Sequence, residues 1–131
     1  MSLLERYVDE IKEDLDLNDM NVREQQMRAP ARKHFWVARM INHKRNLEYL
    51  KRDREDQISL ISEAIQRKAP TLLPATTLRN KAKSHKSVSE ISDNIREEEL
   101  VIELLESAIK NFDSIHWVIK NIVEIMKLET M

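Results

Sequence analysis

The chain has 131 residues, and not one of them is glycine. Glycine adopts positive φ without a steric penalty, and the tightest β-hairpin turns depend on it. Its absence disfavours an all-β fold and excludes the glycine-rich loops that bind nucleotide phosphates. Glu, Lys, Leu, Ile and Arg dominate instead, so we expect an all-α protein built from long helices.

Length and the absence of cysteine narrow the class of protein further. A chain of 131 residues is expected to form one all-α domain, residues 1–131, with its own core. Without cysteine there is no disulfide framework and no thiolate chemistry. No apolar run approaches the roughly 20 residues that a membrane helix needs, and residues 1–7 do not resemble a signal peptide. We expect a cytosolic or nuclear protein that does not contact the membrane.

Three capping signals predict where helices begin. Ser2, Asn21 and Ser87 are each followed three residues later by glutamate, which is the pattern of a capping box or its Asn variant. We predict a short N-terminal helix, a long basic middle helix and a long apolar C-terminal helix, over about residues 3–15, 22–68 and 88–128.

The three prolines predict interruptions. Pro30 falls inside the middle helix, which is expected to kink or break there. Pro70 and Pro74 forbid a continuous helix after residue 68, so residues 69–87 are expected to form a basic loop.

The charge of the chain is strongly segregated, although its net value is only -1. Residues 23–54 hold ten Lys or Arg against three acids, and residues 67–86 hold six against none. Residues 1–22 and 87–131 are acidic. Clustered cations attract a polyanion whatever the global charge, because a phosphate backbone responds to the local field. The alternative is that the basic and acidic helices pair with each other.

Aromatic residues interleave with the basic ones. Phe35 and Trp36 follow Arg32 and Lys33, and Tyr49 lies among further cations. Single-stranded nucleic acid is bound through such cations together with rings on which bases stack, although Trp36 is equally compatible with a core position. The predicted DNA contacts are Arg32, Lys33, Trp36, Arg39, Lys44, Arg45, Lys51, Arg52, Arg54, Lys81, Lys83 and Lys86.

The closing helix carries two adjacent apolar stripes from residue 101 onwards. One stripe suffices to pack on one partner helix, whereas two predict partners on both sides. We expect self-association, unless the first two helices of the same chain cover both stripes. The predicted interface consists of Val101, Leu105, Ile109, Phe112, Ile115, Val118, Ile119, Ile122 and Met126.

Residues for catalysis or metal binding are not arranged in a recognisable pattern. The four histidines lack the spacing of four residues that places two ligands on one helix face. The acidic clusters Asp14–Asp16–Asp19 and Glu97–Glu99 are expected to be solvated. We expect neither an enzyme nor a cofactor.

The order of these features resembles one family. The resemblance rests on the acidic opening Leu4–Asp14, Met40–Lys44 in the basic helix, the exit Lys68–Pro70, and Leu105–Lys110 and Val118–Ile122 in the closing helix. These segments resemble the UvsY-type recombination mediators of tailed phages, over most of the chain in layout and mainly over about 95–128 in residues.

That resemblance implies a function. It implies ring-shaped oligomers that bind single-stranded DNA and load a phage recombinase onto strands coated by single-strand-binding protein, in the cytoplasm of the bacterial host. It implies DNA contacts on the middle helix, at Arg39, Lys44, Arg45, Lys51, Arg52 and Arg54. The alternative from the residues themselves is an all-α oligomeric scaffold or adaptor that binds protein only.

Overall fold

The computed structural model describes residues 2–18 and 20–130, which form four α-helices and no strand. The helices are α1 (Leu3–Asp14), α2 (Val22–Lys68), α3 (Ala75–Lys83) and α4 (Lys86–Glu129). No described residue has positive φ, which agrees with a chain that lacks glycine. The predicted all-α class is confirmed.

The three predicted capping signals have different outcomes. The Ser2 side chain accepts from the Glu5 N–H at 3.1 Å, and Glu5 accepts in return from the Ser2 N–H, so this capping box forms. Before α2, the Asn21 side-chain oxygen accepts from the Asn18 N–H at 2.8 Å, and the Asn18 side chain accepts from the N–H groups of Met20 and Asn21. Helix α4 begins at Lys86, before the predicted Ser87 cap.

Pro30 lies inside α2 without ending it. The helix is continuous from Val22 to Lys68, so of the predicted kink or break, the break does not occur. Proline lacks the N–H that would bond to the carbonyl four residues earlier, here that of Gln26. Both residues are exposed, so water can reach this site.

Residues 75–83 form a helix where the sequence predicted only a loop. Pro74 precedes the first helical residue, and the missing N–H of proline is harmless at a helix start. Ala82 of α3 is completely buried beside Ile58 and Val88. The two prolines therefore exclude a helix only before residue 75. A helix of this length is not stable by itself, so the packing of Ala82 stabilises it.

Two compact units can be distinguished within the chain, for which a single domain remains the prediction. The first comprises Met1–Asn42 and Leu100–Met131, and the second comprises His43–Glu99. The first unit has the larger core, with Trp36 and Leu105 at its centre and both fully buried. The second unit has a smaller core formed by Ile58, Ala82 and Val88.

Candidate nucleic-acid interface

The first part of the basic stretch is paired with α1. Arg28 and Arg32 bind the two carboxylate oxygens of Asp14 at 3.1 and 2.8 Å. Arg32 also reaches Glu10 at 3.2 Å, and Arg39 binds the other oxygen of Glu10 at 2.9 Å. In this part of the first unit, the acidic residues of α1 form ion pairs with the basic residues of α2. This is the alternative in which basic and acidic helices pair with each other.

Asp14 is the buried centre of this network. Its side chain is 3% exposed and accepts hydrogen bonds from both arginines and from the Trp36 indole N–H. The expectation that this acidic cluster is solvated is wrong for Asp14, correct for the exposed Asp16, and for Asp19 lies outside the described residues. Burial lowers the pKa of the Arg32 guanidinium, but the hydrogen bonds and charges of Asp14 and Glu10 outweigh burial and raise it.

Trp36 is a core residue and offers no ring face to a base. It is 0% exposed, and its indole N–H donates to Asp14 at 2.8 Å. Tyr7 and Phe35 meet its ring edge-on, with centroids 5.4 and 5.3 Å away. Predicting Trp36 as a DNA contact is therefore wrong, because α1 and α4 enclose a ring that the sequence pattern left open to solvent.

Lys33 is also engaged within the first unit, because its ammonium group forms an ion pair with Asp113 of α4. Phe35 is half-buried, and the guanidinium groups of Arg32 and Arg39 each lie 4.1 Å from its ring centroid. The charged ends of Arg32, Lys33 and Arg39, all predicted DNA contacts, thus have acidic partners in the same chain.

The second part of the basic stretch has a different environment. Within the described chain, Arg45, Lys51, Arg52 and Arg54 make no ion pair. Arg45 and Arg52 are exposed, as is Lys44, while Lys51 and Arg54 are half-buried. Unpaired, accessible cations are the groups that neutralise phosphates.

Tyr49 adds an exposed ring to these cations. Its side chain lies four residues after Arg45 and three before Arg52, so the three share one face of α2. Tyr49 is 56% exposed. We call Arg45, Tyr49 and Arg52 the α2 basic face.

Helix α3 brings further lysines towards α2 within the second unit. Arg79 binds both carboxylate oxygens of Glu55, at 2.8 and 2.9 Å. The hydrogen bond from Arg79 lowers the pKa of Glu55, and the charges of Arg79, Arg54 and Lys83 lower it further. Lys81 and Lys83 are exposed, and Lys86 pairs loosely with Glu90 at 3.9 Å.

Most of the predicted oligomer interface is already covered by the chain itself. The buried members are Val101, Leu105, Phe112, Ile115 and Ile119, and the half-buried members are Ile109 and Ile122. Of the predicted set only Val118 and Met126 are exposed, at 45% and 41%. The first two helices thus cover much of the doubled stripe, which was the alternative that the sequence left open.

Further apolar side chains on α4 are exposed beyond residue 116. Trp117, Ile125 and Leu128 are 61%, 55% and 70% exposed. Trp117 was not predicted as a site residue, because it falls outside the apolar stripes. Its position outside both stripes could have indicated from the sequence that the Trp117 ring is exposed.

The described residues hold no group of His, Cys, Asp or Glu that could bind a metal ion. None of the helices described is long and apolar enough to cross a membrane.

The architecture matches known structures of one protein. A crystal structure of the bacteriophage T4 recombination mediator protein UvsY superposes with a TM-score of 0.84, covering 98% of this chain and 99% of that one at 14% identity. The chain has the fold of UvsY. Two further UvsY crystal forms match with TM-scores of 0.81 and 0.76 at 11% identity, covering 100% and 92% of this chain. No protein-family model matches the chain, and no curated protein matches its sequence significantly.

Proposed function

We propose that this protein is a non-enzymatic recombination mediator that binds single-stranded DNA and helps to load a recombinase onto strands coated by single-strand-binding protein. The observation that carries the proposal is the match to UvsY over nearly the whole chain. In the proposal it acts as a homo-oligomer in the cytoplasm of a phage-infected bacterium, with the recombinase and the single-strand-binding protein as partners.

The proposed DNA contacts centre on the α2 basic face, whose two arginines make no ion pair within the described chain. They comprise Arg45, Tyr49 and Arg52 of the α2 basic face, flanked by Lys44, Lys51, Arg54, Lys81, Lys83 and Lys86. Cations of this face neutralise phosphates, and the Tyr49 ring supplies a stacking surface that tolerates any base. Arg32, Lys33 and Arg39 are omitted because carboxylates already hold them. Trp36 is omitted because it is buried.

A scaffold that binds protein only is the second candidate. The pairing of α1 with Arg28, Arg32 and Arg39 favours it, because these cations act within the fold. It leaves the unpaired cations on the α2 basic face without a role. The mediator is therefore preferred.

The test is the salt dependence of oligonucleotide binding. Backbone binding releases counterions, and each phosphate neutralised on a single strand contributes a slope of about 0.7 in log affinity against log salt. Replacing Arg45 and Arg52 by Ala is expected to weaken binding to every sequence alike and to reduce that slope by about 1.4 per subunit. Fluorescence anisotropy at several salt concentrations measures both quantities.

A matched control removes the same charge elsewhere. Arg6 and Lys12 are exposed on α1, so the R6A/K12A double variant loses two cations without touching the α2 basic face. It is expected to keep the wild-type slope. Tyr49→Ala is expected to weaken binding by about 1–3 kcal/mol without changing the slope. Equal losses in the control and the R45A/R52A variant, or binding that ignores salt, would favour the scaffold.

A further inference from the structure

An exposed ion pair lies beside the α2 basic face. Both terminal nitrogens of Arg79 on α3 donate to the carboxylate of Glu55 on α2, at 2.8 and 2.9 Å. Both side chains remain open to water, because that of Arg79 is 45% exposed and that of Glu55 is 51% exposed. An ion pair as exposed as this one adds little to stability, so another anion can take the place of the carboxylate.

Unpaired cations flank this ion pair along both helices. Glu55 lies three residues after Arg52, so the two share one face of α2. Lys83 lies four residues after Arg79, so these two share one face of α3. Neither Arg52 nor Lys83 makes an ion pair within the described chain. Glu55 is therefore a negative charge beside cations to which the proposed function assigns phosphates.

A phosphate group fits the Arg79 guanidinium as well as a carboxylate does. Arginine binds phosphate through two parallel N–H groups, which is how Arg79 binds Glu55 in the free protein. A strand that is bound by Arg52 and Lys83 brings its phosphates to this part of the second unit. Glu55 is the anion that such a phosphate has to displace.

We infer that a phosphate of the bound strand displaces Glu55 from Arg79, and that Glu55 binds Arg79 again when the strand leaves. This inference rests on the proposed function and adds to it a phosphate contact on α3 and an internal competitor for that contact. Because Glu55 stabilises the protein without its strand, it weakens DNA binding and speeds release. In the proposed function the strand passes to a recombinase, and faster release favours that step.

Glu55→Gln tests the competition, because glutamine keeps the size of the side chain and removes its charge. The variant is expected to bind oligonucleotides about two- to fivefold more tightly per subunit, which corresponds to the free energy of an exposed ion pair. Dissociation of the oligonucleotide, followed by stopped-flow anisotropy, is expected to slow by a similar factor. Arg79→Ala is expected to weaken binding and to reduce the slope of log affinity against log salt by about 0.7 per subunit.

Glu48→Gln is the matched control. Glu48 is exposed on α2 and makes no ion pair within the described chain, so its substitution removes the same charge without releasing an arginine. It is expected to raise the affinity less than Glu55→Gln does. When Arg79 is replaced by Ala, the gain from Glu55→Gln is expected to fall to that of Glu48→Gln, whereas the gain from Glu48→Gln is expected to stay the same.

Circular dichroism separates these effects from a loss of folding. Helix α3 also packs through the buried Ala82, so each variant is expected to have the helix content of the wild type. If Arg79→Ala loses helix, Arg79→Gln takes its place, because glutamine is uncharged and can still donate a hydrogen bond to Glu55. It is expected to reduce the salt slope by the same amount.

Three outcomes would overturn the inference. They are Glu55→Gln that binds and releases DNA as the wild type does, equal gains from Glu55→Gln and Glu48→Gln, or Arg79→Ala that keeps the wild-type affinity and slope. The proposed function stands in all three cases if the wild type binds in a salt-dependent way and the R45A/R52A variant binds more weakly. A wild type that binds no oligonucleotide at low salt would overturn both proposals.

Discussion

At the scale of single residues, one carboxylate organises the first unit. Asp14 is 3% exposed and accepts from Arg28, Arg32 and the Trp36 indole N–H. A buried carboxylate is tolerated only when its oxygens are hydrogen-bonded and its charge is paired. Asp14 meets both conditions, and it orients the largest side chain of the core. Its role is therefore structural.

Asp14→Ala is expected to lower the free energy of unfolding by about 2–4 kcal/mol. The change leaves the buried indole N–H without an acceptor and removes the carboxylate that two arginines share. Urea unfolding followed by circular dichroism measures the loss. Asp16→Ala, at an exposed position two residues later, is the control and is expected to change stability by less than about 0.5 kcal/mol. Similar losses in both variants would contradict the assigned role.

At the scale of elements, α3 shows how packing creates a helix that local signals do not predict. The helix has nine residues, too few to be stable alone. Ala82 is completely buried beside Ile58 and Val88, and both terminal nitrogens of Arg79 donate hydrogen bonds to Glu55 of α2. These contacts hold the exposed Lys81 and Lys83 near α2, where the proposed function uses them.

The Glu55–Arg79 pair predicts a pH dependence. The Arg79 hydrogen bond lowers the pKa of Glu55 below its ordinary value of 4.5. A carboxylate with a lowered folded pKa adds stability above its unfolded pKa, and this stability is lost as pH falls through the folded pKa. NMR titration of the Glu55 carboxyl is expected to show the lowered value, and Arg79→Ala is expected to return it towards 4.5. An unchanged titration in that variant would contradict the pairing.

At the scale of the whole molecule, assembly and DNA binding are expected to be coupled. Subunits that hold one strand together raise the effective concentration of every further contact, so weak sites combine into tight binding. Val118, Ile122 and Ile125, which we call the α4 edge, lie in the first unit, whereas the α2 basic face lies in the second. A change at the edge can therefore alter DNA binding without altering a proposed DNA contact.

Ile125→Glu is expected to weaken binding to a long oligonucleotide at least tenfold, because a monomer loses the multivalent contribution. Binding to an oligonucleotide that spans a single subunit is expected to change little. Anisotropy titrations with the two lengths measure the difference. A loss that is equal for both lengths would show that Ile125 acts on the DNA contacts themselves.

The sequence predicted the elements well where local chemistry decides them. The absence of glycine and the long helical patterns predicted an all-α fold, and the Ser2 capping box marked the start of α1. It could not predict α3, because Pro70 and Pro74 indicated a loop and the burial of Ala82 that stabilises the helix cannot be seen in the sequence. Helix boundaries depend on neighbours a few residues away, whereas packing depends on residues distant in the chain.

The candidate site divides in the same way. Sequence alone determined that residues 23–54 are rich in cations, because composition requires no fold. Only the tertiary structure decided which cations are engaged: α1 places Glu10 and Asp14 against Arg28, Arg32 and Arg39, while Arg45 and Arg52 meet no acid in the described chain. It also decided that Trp36 is core and Tyr49 is exposed. Charge and ring type belong to the residue, but exposure and pairing arise only when distant segments meet.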